Sequence, residues 1–334
     1  MKLVLVICDG MADEPVESLG DRTPLEAAAT PTIDQLASLG RTGLVRTIPD
    51  GKYPGSEVGI LTILGYKPDQ LPQGRGALEA TGLDITMRPE EVAMRYQLNH
   101  PEEFNHEDLA KRVSAGEIYR LSDTAGLCIV PCDYSECSSN SLVKFWSQDR
   151  IRSFPPFAEI HASDGTDTDS VAIVGAVPLL KGIAKGIGAD WIKPEGATGD
   201  LSTDYSAKAR AAIKALENHD TVILHIEACD WASHHQDPEA KVKAIENIDK
   251  EVIAPLLNHL KELNDSDQPD SISKLFSIAV MSDHPSLCST GQHTSGLSPL
   301  LYFNPHIIPD STTRFSEKEA KKGDLKSVKE IYER

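Results

Sequence analysis

Leu3–Gly10 reads LVLVICDG and Leu275–His284 reads LFSIAVMSDH. Each is a short apolar run that ends at an acid, Asp9 in the first and Asp283 in the second. Runs of this length without alternation have the pattern of strands covered on both faces, as in a parallel sheet flanked by helices. An acid at the end of such a strand must be paired or metal-bound to offset its desolvation. Thr221–Ile226 (TVILHI) is a third such run, and it leads into HIEACDWASHHQD, where Asp230 and His234 stand four residues apart. That spacing puts both on one face of a helix, although it also describes an ordinary surface pair. His293, in STGQHTSG, adds another imidazole downstream of Asp283 and His284. Alone it reads as a loop histidine, but the three clusters reinforce one another. Carboxylates with imidazoles suit Mn²⁺, Mg²⁺ or Zn²⁺, and together they are about enough for two ions.

Helical signals lie between these strands. TPTIDQLASLG predicts a helix with Thr30 as N-cap, Pro31 at the first helical position and Gly40 as its stop. Gly43–Ile48 (GLVRTI) predicts a second strand, and an apolar helix, VGILTILG, follows PGSEV. Ala207–Glu217 and Glu239–Lys261 predict further helices. Alternating strands and helices imply an α/β fold, layered around a mostly parallel sheet. Acids at the strand ends then converge on one edge, where such sheets bind ligands. From Asp69 to Asp169 the pattern is irregular and richer in Pro, Ser and Asp. It reads as an inserted cap, leaving residues 1–68 and 170–334 as the core and 69–169 as the cap. The connections fall near Lys67–Pro72 and Ser163–Ser170, and the polar tail after Phe303 predicts loops and short helices.

The chain has 334 residues, 40% of them hydrophobic, enough for a packed core. A net charge of −18 argues against a nucleic-acid surface or an anionic membrane as partner. An anionic substrate would need a local basic pocket. No run has the length of a transmembrane helix, and the N-terminal run reads as a buried strand, not a signal peptide. Six scattered cysteines fit a reduced, cytoplasmic protein. Cys128, Cys132 and Cys137 lie close together but lack a CxxC pair or a histidine at zinc spacing.

Ser56, in PGSEV, fits two roles. It can cap a helix, or it can be a nucleophile at a helix N-terminus, where backbone N–H groups favour a phosphate or an alkoxide. A serine hydroxyl needs a base or a metal ion to become reactive. Arg75, in GRGALEATG, follows a tight turn and can hold a carboxylate or phosphate, or lie solvated on the surface. Arg95 and Lys208 share that ambiguity. His225, inside TVILHIEA, reads as a hydrogen-bonded core histidine or a group that supports a ligand.

These stretches together resemble the archaeal-type cofactor-independent phosphoglycerate mutases of the alkaline phosphatase superfamily. The resemblance is carried by CDGMADEPVESLGDRTPLEAAATPTIDQLASLG, PGSEVGILTILGYKP, GRGALEATG, GATGDLSTDYSAKARAA, HIEACDWASHHQD, IENID and SDHPSLCSTGQHTSG, in the family's order. It implies an alkaline-phosphatase-like core with an inserted cap. It implies one metal held by Asp230, His234 and His293, and another held by Asp9, Asp283, His284 and the oxygen of the nucleophile Ser56. His235 breaks the ligand spacing. Arg75 and Arg95 match the family's substrate arginines. The implied reaction interconverts 3-phosphoglycerate and 2-phosphoglycerate, a step of glycolysis, through a phosphoserine and without 2,3-bisphosphoglycerate. The departures fall in the cap. Between Ile118 and Ala172 the chain is shorter than its relatives, the only Asn-His-Pro is Asn99-His100-Pro101, and the family's Arg-Cys-Asn stands as Arg95-Tyr96-Gln97.

Two other functions share the residues. A metal-dependent phosphohydrolase or phosphotransferase on another small phosphorylated metabolite would use the same centre. Some bacterial relatives carry a homoserine kinase label, but no P-loop is present here. A non-catalytic metal-binding protein with a decayed cap is the third reading, and the complete ligand set argues against it. Oligomer formation is compatible with the sequence.

Overall fold

The structure is a computed structural model that describes residues 2–113, 116–134, 137–150, 154–161, 170–264 and 276–332. Within it the chain forms two compact units. The larger comprises Met1–Asp69, Pro156–Val177 and Ala189–Arg334, and the smaller comprises Gln70–Pro155 and Pro178–Gly188. The boundaries read from composition differ from these. Phe157–His161 belongs to the larger unit, and the helix Pro178–Ile187 to the smaller. That helix packs against the helix Gly76–Gly82 so closely that a Cβ on Gly82 would sit 1.9 Å from the Pro178 carbonyl. The connection expected at Ser163–Ser170 lies, except for Ser170, outside the described residues.

The larger unit is built on a seven-stranded sheet. Its order is Arg41–Arg46, Leu297–Phe303, Phe276–Met281, Lys2–Cys8, Thr221–Ile226, Val171–Val174 and Asp190–Ile192. Lys2–Cys8 runs parallel to both neighbours, with Val6 opposite Val280 on one side and Leu224 on the other. Leu297–Phe303 is antiparallel to both of its neighbours. Leu3–Cys8, Thr221–Ile226 and Phe276–Met281 are buried throughout. This is why their sequences run apolar without alternation: helices cover both faces. Leu275, included in the expected strand, lies outside the described residues.

Helix Pro31–Leu39 starts at Thr30 and stops at Gly40 as expected, but the Thr30 side chain makes no capping bond. The Asp249 carboxylate serves instead, accepting the Ile33 N–H at 2.6 Å. Asp249 also begins a π-helical turn, Asp249–Ile253, between the helices Pro238–Ile248 and Ala254–Asn264. The single helix expected over Glu239–Lys261 is thus interrupted at the residue that reaches across to another helix, a common setting for a π-bulge.

The smaller unit has a four-stranded antiparallel sheet, ordered Glu117–Arg120, Ala125–Pro131, Glu91–Leu98 and Val143–Phe145. Alternate residues Val92, Met94, Tyr96 and Leu98 pack on one face. Ala93, Leu127 and Ile129 pack on the other, with Ala77 and Ala80 of the helix Gly76–Gly82. No helix among the described residues is long and apolar enough to cross a membrane.

Candidate metal centre

Three strands of the sheet lead at their carboxyl ends into candidate ligands. Asp9 follows Cys8 directly, and its N–H donates to the Ile226 carbonyl at 3.0 Å, so it stays in register with the next strand. Asp283 and His284 follow Met281 and are fully buried. Asp230 and His234 lie on the helix Ala228–His234, which starts as the strand Thr221–Ile226 ends. His293 comes from the short hairpin that pairs Ser286–Leu287 with Gln292–His293. Gly10 turns the chain after Asp9 with φ +63°, and a Cβ there would meet Ser286 Oγ at 2.6 Å and Asp230 Oδ1 at 2.8 Å.

Asp230, His234 and His293 form one group. His234 Nε2 lies 3.2 Å from Asp230 Oδ2, and His293 Nε2 lies 3.1 Å from Asp230 Oδ1. His234 Nδ1 donates to the Gly291 carbonyl at 2.9 Å, and His293 Nδ1 donates to the Pro54 carbonyl at 2.7 Å. Those carbonyls fix the ring tautomers. In the neutral rings the two Nε2 lone pairs then face each other at 3.0 Å. A cation held by both would turn that repulsion into ligation, and outer N–H bonds to carbonyls are the usual support of metal-bound histidines. Burial would raise the Asp230 carboxyl, but His234 and His293 outweigh it and hold it well below the usual carboxylate range.

Asp9, Asp283, His284 and Ser56 form the second group. His284 Nε2 lies 3.4 Å from Asp9 Oδ1, 3.4 Å from Asp283 Oδ2 and 3.3 Å from Ser56 Oγ. Asp283 Oδ1 accepts the N–H groups of Gly10 at 3.1 Å and His284 at 3.0 Å. Its Oδ2 is buried with no hydrogen-bond partner among the described residues. A buried carboxylate oxygen aimed at a second carboxylate and an imidazole is the donor set of a divalent-cation site. Burial pushes the His284 imidazole down to about 4, so at neutral pH it is uncharged and able to ligate. The two groups adjoin, because the His284 and His293 rings stack with centroids 4.0 Å apart.

Ser56 is the first residue of the helix Ser56–Ile63, and Gly55, not Ser56, occupies the cap position. The side chain therefore makes no capping bond and turns to His284. Gly59, one turn on, lets this helix touch the Asp283 backbone, for a Cβ there would sit 2.4 Å from the Asp283 carbonyl oxygen.

The surroundings are legible in the sequence only in part: His225 reads there as a core histidine or a group that supports a ligand, whereas Ser286 is not singled out. His225 lies with Nε2 3.6 Å from Asp9 Oδ2 and Nδ1 3.5 Å from Glu227 Oε1. It belongs with Asp9 and Asp283 to a set that could itself hold a cation. Ser286 Oγ contacts both Asp230 and His284, and only its place two residues after His284 in SDHPS could have drawn attention to it. Lys208, expected to contact substrate, is fully buried. Its ammonium donates to Glu227 Oε2 at 2.6 Å, the His225 carbonyl at 3.1 Å and the Thr198 carbonyl at 3.3 Å. With three acceptors for three N–H bonds, it has no donor left for a substrate, and its role here is to neutralise Glu227. Burial alone would raise the Glu227 carboxyl, but Lys208 and then His225 hold it down to about 2.

Arg75 and Arg95 belong to the smaller unit and meet there on one carboxylate. Arg75 Nε is 3.0 Å and Arg95 Nη1 2.6 Å from Oε1 of the buried Glu79.

A profile described as the metalloenzyme superfamily matches residues 1–332. A 2,3-bisphosphoglycerate-independent phosphoglycerate mutase of Methanosarcina barkeri is 32% identical over 401 aligned residues, covering 98% of this chain and 97% of the relative. One of Methanothermobacter thermautotrophicus, named mutase 2, is 30% identical and covers 97% of this chain and 94% of its own. Among solved structures, the PH0037 protein from Pyrococcus horikoshii superposes with a TM-score of 0.74 at 29% identity, covering 99% of this chain and 96% of that one. The cofactor-independent phosphoglycerate mutase from Thermoplasma acidophilum shares the fold, with a TM-score of 0.64 at 21% identity over 99% of this chain and 98% of that one. With matches along nearly its whole length, the chain belongs to the metalloenzyme superfamily, in the family of the 2,3-bisphosphoglycerate-independent phosphoglycerate mutases.

Proposed function

We propose that this chain interconverts 3-phosphoglycerate and 2-phosphoglycerate through phosphorylated Ser56, without 2,3-bisphosphoglycerate. The observation that carries the reading is Ser56 Oγ, uncapped, at a helix N-terminus and 3.3 Å from His284 Nε2. Asp230, His234 and His293 would hold one divalent ion, and Asp9, Asp283, His284 and the Ser56 oxygen the other. Mn²⁺, Zn²⁺ or Mg²⁺ suits such carboxylate and imidazole donor sets. When bound, such ions lower the pKa of a hydroxyl and neutralise phosphoryl oxygens.

The chain supplies the remaining parts of the mechanism. Ser56 Oγ attacks the phosphorus, a P–O bond to Ser56 forms, and the bond to the substrate oxygen breaks in line. The substrate leaves as a free alcohol and takes up a proton. Helix N–H groups beside Ser56 face the phosphoryl oxygens. Return of the phosphoryl group to the other hydroxyl of the retained glycerate completes the mutase cycle. Arg75 and Arg95 are the proposed grip on the substrate's anionic groups. Six cysteines scattered along the chain support a reducing, cytoplasmic setting.

A second reading follows from chain length. Alignment over 401 residues against a chain of 334 supports a shortened insertion. If it admits water, the phosphoserine hydrolyses and the enzyme is a phosphatase. ³¹P NMR with 3-phosphoglycerate and Mn²⁺ separates the two. A 2-phosphoglycerate signal that disappears in Ser56→Ala supports the mutase. Inorganic phosphate in its place supports the hydrolase, and full mutase activity in Ser56→Ala rejects the phosphoserine route.

A further inference from the structure

Ser286 touches both ligand groups. It is 1% exposed, and its Oγ lies 2.5 Å from Asp230 Oδ1 and 3.2 Å from His284 Nδ1. The direction of these bonds is fixed by chemistry. An ionised Asp230 can only accept, so the single hydroxyl proton of Ser286 goes to it. The Ser286 oxygen then accepts from His284 Nδ1–H. That places the lone pair of His284 on Nε2, the atom that faces Asp9, Asp283 and Ser56. One hydroxyl thus chooses the tautomer of a ligand in one group and orients the carboxylate of the other.

The backbone of Ser286 is equally well anchored. It pairs in the hairpin with His293, its N–H donates to the Ala12 carbonyl at 3.0 Å, and its carbonyl accepts from Lys241 Nζ at 2.8 Å. The hydroxyl is therefore held from the segment after Asp9 and from the segment that carries His293. Gly10 leaves the space that the hydroxyl occupies, 2.6 Å from where a Cβ would stand.

We infer that Ser286 is a positioning residue whose hydroxyl links the two ligand groups, so that both metal ions depend on it. The inference rests on the two-metal reading above. Supporting hydrogen bonds of this kind typically change metal affinity ten- to a hundredfold. Removing this one should therefore weaken both binding steps, not one.

Calorimetric titration of the apoprotein with Mn²⁺ tests it. The parent protein should show two binding steps; fewer would reject the two-metal reading itself, independently of Ser286. Ser286→Ala should lose roughly tenfold or more in both steps. Ser286→Thr and Ser286→Val have the same shape and differ in the hydroxyl, so Thr should bind the two ions more tightly than Val. Unfolding in the presence of EDTA checks that each variant is folded. Two unchanged steps in Ser286→Ala, a loss confined to one step, or Thr and Val equally impaired would overturn the link.

Discussion

Replacing Lys208 by Met decides whether this residue is a structural cation or a substrate contact. Met keeps the length of the side chain and removes the ammonium. Glu227 Oε2 then loses its partner at 2.6 Å, and the carbonyls of His225 and Thr198 lose a donor. Breaking a buried ion pair from one side costs about 3–5 kcal/mol. The carboxyl gives an independent measure. Lys208 and His225 hold Glu227 at about 2, against an ordinary value of 4.5, and roughly 2.5 pKa units correspond to roughly 3 kcal/mol. For a unit of this size, 3–5 kcal/mol lowers the melting temperature by roughly 6–20 °C.

The dependence on pH has a definite sign. The folded pKa of Glu227 is depressed, so its contribution is present above about 4.5 and lost as pH falls toward about 2. Without Lys208 that contribution is absent, and burial raises the carboxyl instead. Melting temperatures of parent and Lys208→Met, followed by circular dichroism in EDTA, should differ most at neutral pH and converge as pH falls from the raised carboxyl of the variant toward about 2, where Glu227 of the parent is protonated. Adding Glu227→Gln to Lys208→Met should recover much of the loss, because no buried charge is left unpaired. If Lys208→Met melts with the parent and instead raises KM for 3-phosphoglycerate, the sequence-based expectation of a substrate contact is right and the burial argument is wrong.

Gly59→Ala should weaken Mn²⁺ binding and slow phosphoryl transfer, because a Cβ placed 2.4 Å from the Asp283 carbonyl pushes the Ser56 helix away; overpacking of this kind costs about 1–3 kcal/mol, and calorimetry and ³¹P NMR would register it. Removing metal with EDTA should lower the melting temperature, since an ion at a hundred times its Kd stabilises by about 2.7 kcal/mol; an unchanged melt in saturating Mn²⁺ would count against a metal site here. Arg75→Lys and Arg95→Lys should each raise KM for 3-phosphoglycerate about tenfold or more while leaving Mn²⁺ titrations unchanged, because Lys is a point charge where Arg offers a planar fork.

How much of this was legible in the sequence depended on whether the cause was local. LVLVIC and SIAVMS could be read as central strands because both faces of the sheet are covered, and that leaves an uninterrupted apolar run. Asp9 and Asp283 were then conspicuous as acids where no solvent was expected. The helix over Glu239–Lys261 was only partly legible. Its π-turn answers to Asp249 reaching Ile33, a partner 216 residues away. The smaller unit looked irregular because its sheet is short-stranded and its faces pack differently. Yet EVAMRYQL does alternate, with Val92, Met94, Tyr96 and Leu98 on one face and Arg95 on the face toward Glu79. Lys208 illustrates the limit most clearly. A lysine beside a motif reads as an anion binder, and only the fold shows its charge already met by Glu227.

The two buried lysines explain how an acidic chain can keep its candidate metal ligands available. Five carboxylates lie within or beside the centre: Asp9, Asp13, Glu227, Asp230 and Asp283. Lys208 takes Glu227 at 2.6 Å and Lys241 takes Asp13 at 2.8 Å. Each lysine also donates to backbone carbonyls, Lys208 to His225 and Thr198, Lys241 to Ala12 and Ser286. These cations neutralise the carboxylates that flank the ligand segments and at the same time pin those segments. That leaves Asp9, Asp230 and Asp283 in the centre beside the imidazoles of His225, His234, His284 and His293. Three carboxylates and the Ser56 oxygen would match the charge of two divalent ions. Had either lysine reached inward, it would have competed with those ions. The sorting of charge is therefore as much a condition of the site as the ligands are, and it is set by which carboxylates the fold pairs with lysine and which it leaves to the imidazoles.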